Sequence, residues 1–333
     1  MADTTIPPDV EALVYDKATR SLVVKTLPVP KATGPEDHLL RVHAVALTNG
    51  ELAWPEPLEF PDPVPGYELA ATVITAPPKS PFTPGTEVYA RTNFERLGSA
   101  RPFSIATTAE LGHKPANLSW EEAATVPLSA LTAWQALFVH GGLVAPDFQD
   151  LDEVRAKNAG RRVLITAAAG GVGLWLVQLA RLAGAYVIGT CGSANVDFVI
   201  ELGAHEVLDY GTTNLATWAG EDPTARKFDL GLDCVGQTTL EQVWSVTRSG
   251  GKVISIVDEP GKAKPTTVEA DVNSLFFIVE ANSEQLDRIS KLIEAGTCKA
   301  FVDSVFDLRD GAKAMEKLNG RRLRGKVVLR ITA

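Results

Sequence analysis

Cysteine is scarce in this chain of 333 residues. The three cysteines are Cys191, Cys234 and Cys298, and no pair of them has the Cys-x-x-Cys spacing. An odd number of widely spaced cysteines argues against a disulfide framework and favours a reducing compartment. We therefore interpret each one as a small, buried, apolar side chain.

The sequence also lacks a surplus of positive charge and any long apolar run. Its 32 Lys and Arg against 41 Asp and Glu give a net charge of −9, which argues against nucleic acid or an anionic membrane as a partner. No run approaches the ~20 apolar residues that span a bilayer, and residues 1–16 contain no basic segment followed by an apolar one. These absences predict a cytoplasmic protein with no nucleic-acid or membrane partner.

Residues 1–125 consist of short β-branched runs separated by turn residues, with prolines dense from Pro55 to Pro84. No long helical period occurs there, so we predict an irregular, barrel-like β domain. Ser119 and Glu122 form a capping-box pattern that predicts the start of a helix. The next segment, "LSALTAWQALFVH", has helical spacing and ends at two glycines. The polar stretch from 145 to 160 is interpreted as a surface excursion.

From Arg162 onward, nearly continuous apolar strands alternate with helices. This alternation is typical of a parallel sheet covered by helices on both faces. We predict an α/β fold in which residues 126–270 form a doubly wound domain. Residues 271–333 break the rhythm and are predicted to return to the first domain, which is then made of 1–125 and 271–333.

The stretch "VLITAAAGGVG", Val163 to Gly173, joins an apolar strand to an amphipathic helix. A helix that begins here offers free N–H groups and the positive end of its dipole to a pyrophosphate. Gly170 allows close approach of the backbone, and Gly173 allows the helix to pack closely. Ala168 stands where the dinucleotide fingerprint has its first glycine, so we expect no positive φ at that position. The stretch predicts a dinucleotide site.

The loop after the second strand of this domain, "CGSAN", distinguishes the two nicotinamide nucleotides. An NAD site has Asp or Glu about 20 residues beyond the glycines, but no carboxylate occurs here before Asp197. Ser193 and Asn195 are donors suited to a 2′-phosphate. The loop therefore favours NADPH, although it contains no Arg or Lys.

The sequence offers no metal site and no nucleophile motif. His43, His113 and His140 are scattered, residues 1–125 contain no cysteine, and no Gly-x-Ser-x-Gly occurs. We predict no metal ion.

Candidate acid–base groups are few and lie in "LTNGELAW" and "VPGYELAAT", which contain Asn49, Glu51, Tyr67 and Glu68. Tyr67 is predicted either to donate a proton or to pack at the start of a strand. Trp54 and Phe60, in the proline-rich segment, either line an apolar substrate slot or fix that segment in place.

Together these motifs resemble the medium-chain dehydrogenase/reductase superfamily in its zinc-free quinone oxidoreductase branch, which is similar to zeta-crystallin. The resemblance covers nearly the whole chain and rests on "GYELAATV", "EEAATVPLSALTAWQAL", "VLITAAAGGVGLWLVQLA", "LGAHEVLDY", "FDLGLDCVG", "GGKVISI" and "RGKVVL". It implies a GroES-like substrate domain interrupted by a Rossmann domain. Zinc-dependent members have Gly-His-Glu where this chain has Gly66-Tyr67-Glu68, so the resemblance implies that the metal ligand is lost.

The resemblance also implies cofactor contacts and an assembly. Asn49 is matched to a catalytic-side position with Thr48 as its rival. Relatives pair through the edge of the Rossmann sheet, where "GGKVISIV" is placed, so a homodimer is expected. The implied cofactor contacts are Thr132, Ala169, Gly170, Gly171, Val172, Ser193, Tyr210, Cys234, Val235, Gly236, Val257, Phe277, Val279 and Lys326.

Three functions are compatible with these features. The first is a zinc-independent, NADPH-dependent reductase that transfers hydride to a small apolar enone or quinone. The second is a trans-acting enoyl reductase of a polyketide or secondary-metabolite pathway. The third is a non-enzymatic, NADPH-binding regulatory or structural protein, because a fold does not fix a function.

Overall fold

The computed structural model describes residues 6–146, 149–222, 224–268, 271–320 and 323–331. The chain divides into two compact units, a first unit of residues 1–131 with 281–333 and a second unit of residues 132–280. The domain boundaries predicted from the sequence lie after residues 125 and 270.

The strands, in chain order, follow the apolar runs of the sequence. They are β1 (Asp9–Asp16), β2 (Ser21–Pro28), β3 (Asp37–Leu47), β4 (Glu68–Thr75), β5 (Glu87–Arg91), β6 (Phe103–Thr107), β7 (Leu111–His113), β8 (Arg162–Ile165), β9 (Tyr186–Cys191), β10 (Glu206–Asp209), β11 (Phe228–Asp233), β12 (Thr247–Ser255), β13 (Asn273–Phe276), β14 (Val302–Asp307) and β15 (Lys326–Arg330).

Most of the helices are short. They are α1 (Pro55–Leu58), α2 (Trp120–Ala124), α3 (Pro127–Trp134), α4 (Leu151–Asn158), α5 (Gly171–Leu182), α6 (Val196–Glu201), α7 (Leu215–Gly220), α8 (Gln237–Val246), α9 (Ser283–Glu294) and α10 (Gly311–Asn319). A π-helical segment, Gln135–His140, continues α3.

The first unit is built on a seven-stranded sheet with the order β14-β15-β3-β4-β5-β7, in which β6 also pairs with β3. β1 and β2 form a separate antiparallel hairpin. Antiparallel pairing joins β15, β3, β4 and β5, and the aliphatic side chains of these strands fill the core. The predicted capping box is confirmed, because Ser119 and Glu122 bond each other's backbone N–H at the start of α2.

The second unit is a six-stranded parallel sheet with the order β10-β9-β8-β11-β12-β13. Val163, Leu164 and Ile165 of β8 are completely buried, as expected for a strand covered on both faces. The strand order reverses between β8 and β11, the first and fourth strands of the sheet along the chain. In such sheets, ligands bind at the carboxyl ends of the strands at this switch point.

Two details differ from the predictions, and both concern the last strands of the parallel sheet. β13 hydrogen-bonds to β12 as the sixth parallel strand, although the sequence had assigned residues from 271 onward to the other domain. β12, which contains "GGKVIS", is therefore not an edge strand of this sheet; β13 covers it. The stretch 145–160 contains α4, which begins with a hydrogen bond from Glu153 N–H to the Asp150 carboxylate; Asp147 and Phe148 lie outside the described residues.

Within the described part of the chain, no helix is both long enough and apolar enough to cross a membrane.

Candidate functional site

The predicted nucleotide turn lies at the switch point of the parallel sheet. β8 ends at Ile165, and α5 begins at Gly171 with Gly170 as its N-cap. A glycine has no side chain to accept from the first N–H groups of the helix, and no side-chain cap occurs here. These N–H groups and the positive end of the α5 dipole are therefore available to an anion.

Close backbone packing explains the glycines of this turn. A Cβ at Gly173 would lie 2.1 Å from the carbonyl oxygen of Ala167, so only glycine fits there. A Cβ at Gly170 would lie 3.2 Å from the same oxygen and meets nothing else closer than 4.0 Å. The absence of a side chain at Gly170 thus leaves space beside the helix start. The positive φ of the turn (49°) falls on Ala167, and the prediction of none at Ala168 is confirmed.

The side chain of Ala168 is accommodated by a glycine on the neighbouring strand. A Cβ at Gly189 of β9 would lie 2.8 Å from the Cβ of Ala168. The alanine that replaces the first glycine of the fingerprint therefore depends on a second glycine, 21 residues further along the chain, which compensates for its volume.

A buried carboxylate ties the strand ends around this turn together. Asp233, at the end of β11, accepts from the hydroxyls of Thr166 and Ser255, each at 3.1 Å. The backbone N–H of Gly236 also donates to it, at 2.9 Å. Burial raises the pKa of Asp233, and these donors oppose the shift. The network fixes the carboxyl ends of β8, β11 and β12 relative to one another.

The loop after β9 and the end of β10 form the predicted 2′-phosphate region. Ser193 is exposed, Asn195 is half-buried, and Tyr210 is 68% exposed. A Cβ at Gly192 would lie 3.1 Å from the Tyr210 hydroxyl, so the phenol extends over this loop. Asp209 pairs with Cys191 in the sheet, and its Oδ1 accepts from Gly211 N–H at 2.8 Å.

Several other predicted contacts of the second unit follow the carboxyl ends of β11, β12 and β13. Val235 and Val257 are exposed apolar residues near Gly236, whose φ of 82° requires glycine. Phe277 packs its ring on His140 at 4.7 Å. Two hydrogen bonds between the Gln135 side chain and the Glu280 backbone anchor the segment that carries Phe277 and Val279. Thr132 is buried, and Ala169, Gly171, Val172 and Cys234 are buried or half-buried.

In the first unit, the strongest electrostatic feature is a buried ion pair. Lys326 Nζ lies 2.8 Å from Glu68 Oε1, and the two side chains are 8% and 0% exposed. The same ammonium donates to the hydroxyl oxygen of Thr48 at 3.0 Å. Lys326, which the resemblance assigned to the cofactor, therefore joins two groups of its own unit, and its cofactor role stays a prediction.

Glu51 is a second buried carboxylate beside this pair. Its oxygens accept from Gly66 N–H at 3.0 Å and from Thr48 N–H at 3.2 Å. Burial raises the pKa of Glu51 to about 7, with Lys326 opposing the shift and Glu68 adding to it. The group therefore gains and loses its proton near neutral pH.

Tyr67 is almost completely buried, and its hydroxyl lies 3.4 Å from the carbonyl oxygen of Val64. Burial and the charge of Glu51 raise the pKa of this phenol, so it stays neutral. Its ring is 5.8 Å from Trp54 and 6.3 Å from Phe94, and Trp54 and Phe94 are 5.7 Å apart. We call Trp54, Tyr67 and Phe94 the aromatic cluster.

The structure gives the remaining predicted residues of the first unit different environments. Asn49 is exposed next to Gly50, whereas its rival Thr48 is half-buried and bonded to Lys326. Phe60 is half-buried. Phe94 was not predicted as a site residue. In the sequence it is only a single aromatic residue in "TNFERLG", with no motif around it.

Zinc does not fit the donor groups of this region. Tyr67 stands at the position that the resemblance matched to the histidine of a Gly-His-Glu triplet, and its hydroxyl faces Val64. The carboxylate of Glu68 is neutralised by Lys326, which puts a fixed positive charge there. Among the described residues, no three His, Cys, Asp or Glu side chains are grouped as metal ligands.

The chain matches a family model described as "Zinc-binding dehydrogenase" over residues 202–329. It is 46% identical, over 98% of both chains, to a "Probable zinc-binding oxidoreductase, mitochondrial" of Arthroderma benhamiae. It is 30% identical to the "Quinone-oxidoreductase QR1, chloroplastic" of Triphysaria versicolor, over 91% of this chain and 92% of that one.

The chain belongs to the quinone oxidoreductase-like branch of the medium-chain dehydrogenase/reductase superfamily. It is thus an oxidoreductase of this superfamily, as predicted. The "NAD(P)H oxidoreductase RTN4IP1, mitochondrial" of Danio rerio is a further relative, 29% identical over 75% of this chain and 67% of that one. The predicted GroES-like and Rossmann fold is confirmed by the quinone oxidoreductase from Coxiella burnetii, with a TM-score of 0.80 at 22% identity over 97% of this chain and all of that one.

Proposed function

We propose that this oxidoreductase is a zinc-independent, NADPH-dependent reductase of an enone or a quinone. The observation that carries the proposal is the start of α5, where Gly170 leaves backbone N–H groups uncapped at the switch point of a Rossmann sheet. In a chain of this superfamily, such a helix start supports binding of a nicotinamide dinucleotide by its pyrophosphate.

The preference for NADPH is supported by the loop after β9. Residues 192–196 contain no carboxylate that would bind a ribose 2′-hydroxyl or repel a 2′-phosphate. Ser193 and the phenol of Tyr210 offer hydroxyl donors. The carboxylate on the neighbouring strand, Asp209, already accepts from Gly211 N–H. A 2′-phosphate fits this donor set better than a free 2′-hydroxyl does.

NADPH, when bound, would supply the hydride. We assign orientation of the substrate and stabilisation of its charge to the aromatic cluster and Thr48. The aromatic cluster offers an apolar surface for a planar substrate. Hydride addition to the β-carbon of an enone places negative charge on the carbonyl oxygen. Lys326 donates to the hydroxyl oxygen of Thr48, so the hydroxyl proton of Thr48 is directed away from Lys326. The Thr48 hydroxyl can therefore donate a hydrogen bond to the carbonyl oxygen of the substrate. The α-carbon then takes a proton from water.

The reaction is tested by following NADPH oxidation with enones, quinones and enoyl thioesters. We expect turnover of enones or quinones, and Thr48→Val should lower kcat roughly 100-fold with little change in KM, as for loss of one oxyanion donor. Tyr67→Phe, which removes a hydroxyl that faces Val64, should stay within a few-fold of the wild type.

Other outcomes of this panel identify the alternatives. Turnover of carrier-bound enoyl thioesters alone would assign an enoyl reductase. NADPH binding without turnover of any class would assign a regulatory or structural protein. Stoichiometric zinc in active protein, measured by elemental analysis, would overturn the zinc-independent proposal.

Cofactor preference has its own test. Ser193→Asp should weaken NADPH binding roughly ten-fold or more, because a carboxylate repels the 2′-phosphate, while NADH binding holds or improves. Ser193→Ala is the matched control, with only a small loss expected. Titration of nucleotide fluorescence measures both affinities. Equal affinity of the wild-type protein for NADH and NADPH would contradict the interpretation of this loop.

Compartment and assembly stay predictions. The relatives' names refer to mitochondria and chloroplasts, whereas the sequence predicted the cytoplasm, and a fluorescent fusion would distinguish the two.

A homodimer is proposed through the exposed side of β13, the outermost described strand next to β12. Light scattering on the eluted protein gives its mass.

A further inference from the structure

Arg101 is a buried cation without a counter-ion among the residues that the structure describes. It precedes β6, is only 5% exposed, and has a completely buried Nε with no hydrogen-bond partner. Across the described ranges of the chain, no ion pair includes Arg101. Arginine is almost never buried unless it is paired, because transfer of an unpaired charge out of water is costly.

Backbone hydrogen bonds join the segment before Arg101 to the segment before Tyr67, a member of the aromatic cluster. Ser99 N–H donates to the carbonyl oxygen of Gly66 at 2.7 Å, and Ala100 N–H donates to that of Pro65 at 3.0 Å. Residues 98–100, just before Arg101, therefore lie alongside residues 64–66, just before Tyr67. The charge of Arg101 acts on the phenol of Tyr67 and lowers the pKa of that group, against the effect of burial.

The guanidinium remains charged in this environment. Burial lowers the pKa of Arg101 to about 10, so it is a cation at neutral pH. Its titratable neighbour Tyr67 is neutral there and cannot balance the charge. Arg91 differs, because its guanidinium lies 4.5 Å over the ring of Phe94. An unpaired positive charge close to Tyr67 of the aromatic cluster is the electrostatic complement of an anionic ligand.

We propose that Arg101 binds a carboxylate of the substrate, so that the physiological substrate is a carboxylated enone or quinone with a planar apolar body. This inference rests on the proposed function and adds a charge to the apolar substrate predicted from the sequence. A guanidinium matches a carboxylate in a planar, bidentate geometry. A single buried cation balances one negative charge, whereas a phosphate monoester would bring a second one that remains unpaired.

The test uses three substrates that share one reacting group. These are 4-(3-oxobut-1-enyl)benzoate, its primary amide, and the matching phenyl phosphate ester. With NADPH-loaded wild-type protein, kcat/KM for the carboxylate should exceed that for the amide roughly 30-fold, as for a buried charge pair. Arg101→Met should remove this preference, so that the ratio of kcat/KM for the carboxylate to that for the amide falls to about one. The matched control is Arg41→Met, whose guanidinium lies 5.1 Å over the ring of Phe103; it should keep the preference.

Several results would overturn the inference. They are equal use of carboxylate and amide by the wild-type protein, an equal loss of both in Arg101→Met, and a preference for the phosphate ester. Stability gives a second readout. Removal of an unpaired buried charge should leave the melting temperature of Arg101→Met equal to or above that of the wild type without ligand. A clear decrease would assign Arg101 to the core instead.

Failure of the reaction is distinguishable from failure of the anion site. Benzoate, measured against benzamide, should raise the melting temperature of the wild-type protein and not that of Arg101→Met. If benzoate stabilises the protein while none of the three enones is reduced, the anion site stands and the proposed reaction is wrong. If the three enones are reduced equally well whatever their charge, the proposed reaction stands and the anion site is wrong.

Discussion

Replacement of Lys326 by Met should lower the free energy of unfolding by about 3 kcal/mol, because it leaves the carboxylate of Glu68 buried and unpaired. Glu68 is completely buried, and the ammonium 2.8 Å away is its only ion-pair partner in the described chain. Attraction between the two charges offsets the free energy needed to bury them. Without the ammonium, the desolvation free energy of the Glu68 carboxylate is no longer offset. Urea unfolding monitored by tryptophan fluorescence measures the change.

The double variant Glu68→Gln with Lys326→Met isolates the pair. We expect it to be more stable than Lys326→Met alone, because no charge is left buried. Lys313→Met is the matched control, since Lys313 pairs with Asp310 on the surface with a side chain that is 73% exposed; its unfolding midpoint should not change. A loss in Lys326→Met no larger than in this control would contradict the assigned role.

The same variant has a distinctive pH dependence. Burial raises the pKa of Glu68, and loss of the Lys326 charge removes an effect that opposes this rise. Glu68 should therefore take up a proton more readily in Lys326→Met, which relieves the unpaired charge. The difference in stability from the wild type should shrink as the pH is lowered, whereas a loss caused by packing alone would not depend on pH.

Features that depend on neighbours in the sequence were predictable. Apolar strands alternating with helices predicted the parallel sheet, and Ser119 with Glu122 predicted the start of α2. The turn at Gly170 was also recognised, because a strand, a small-residue turn and a helix start follow one another directly. In each case the interacting groups lie within one turn or one strand–helix unit.

Features that depend on distant pairing were not predictable. Glu68 and Lys326 meet only because β4 and β15 both flank β3, a register that no local pattern reveals. Gly189 compensates for Ala168 across two strands in the same way. The burial of Arg101 was not predicted, since the sequence does not show that residues 98–100 pair with 64–66. Glu51 was noted as an acid but not selected, because its burial follows from the same packing.

Glu51 should make the protein lose stability as the pH rises. Burial raises its pKa from 4.5 when unfolded to about 7 when folded. A carboxyl group with a raised pKa stabilises the folded state fully below its unfolded pKa, and this contribution is lost as the pH rises through the folded pKa. Between pH 5 and pH 8 the loss should amount to about 2 to 3 kcal/mol.

Comparison with Glu51→Gln across this pH range isolates the effect, because every other titrating group is common to both proteins. Wild-type stability should fall relative to the variant from pH 5 to pH 8, as measured by urea unfolding at each pH. Glu59→Gln, at an exposed position eight residues along the chain, should run parallel to the wild type. Parallel curves for Glu51→Gln and the wild type would mean that Glu51 is ionised throughout. Its hydrogen bonds from Gly66 and Thr48 would then outweigh the cost of its burial.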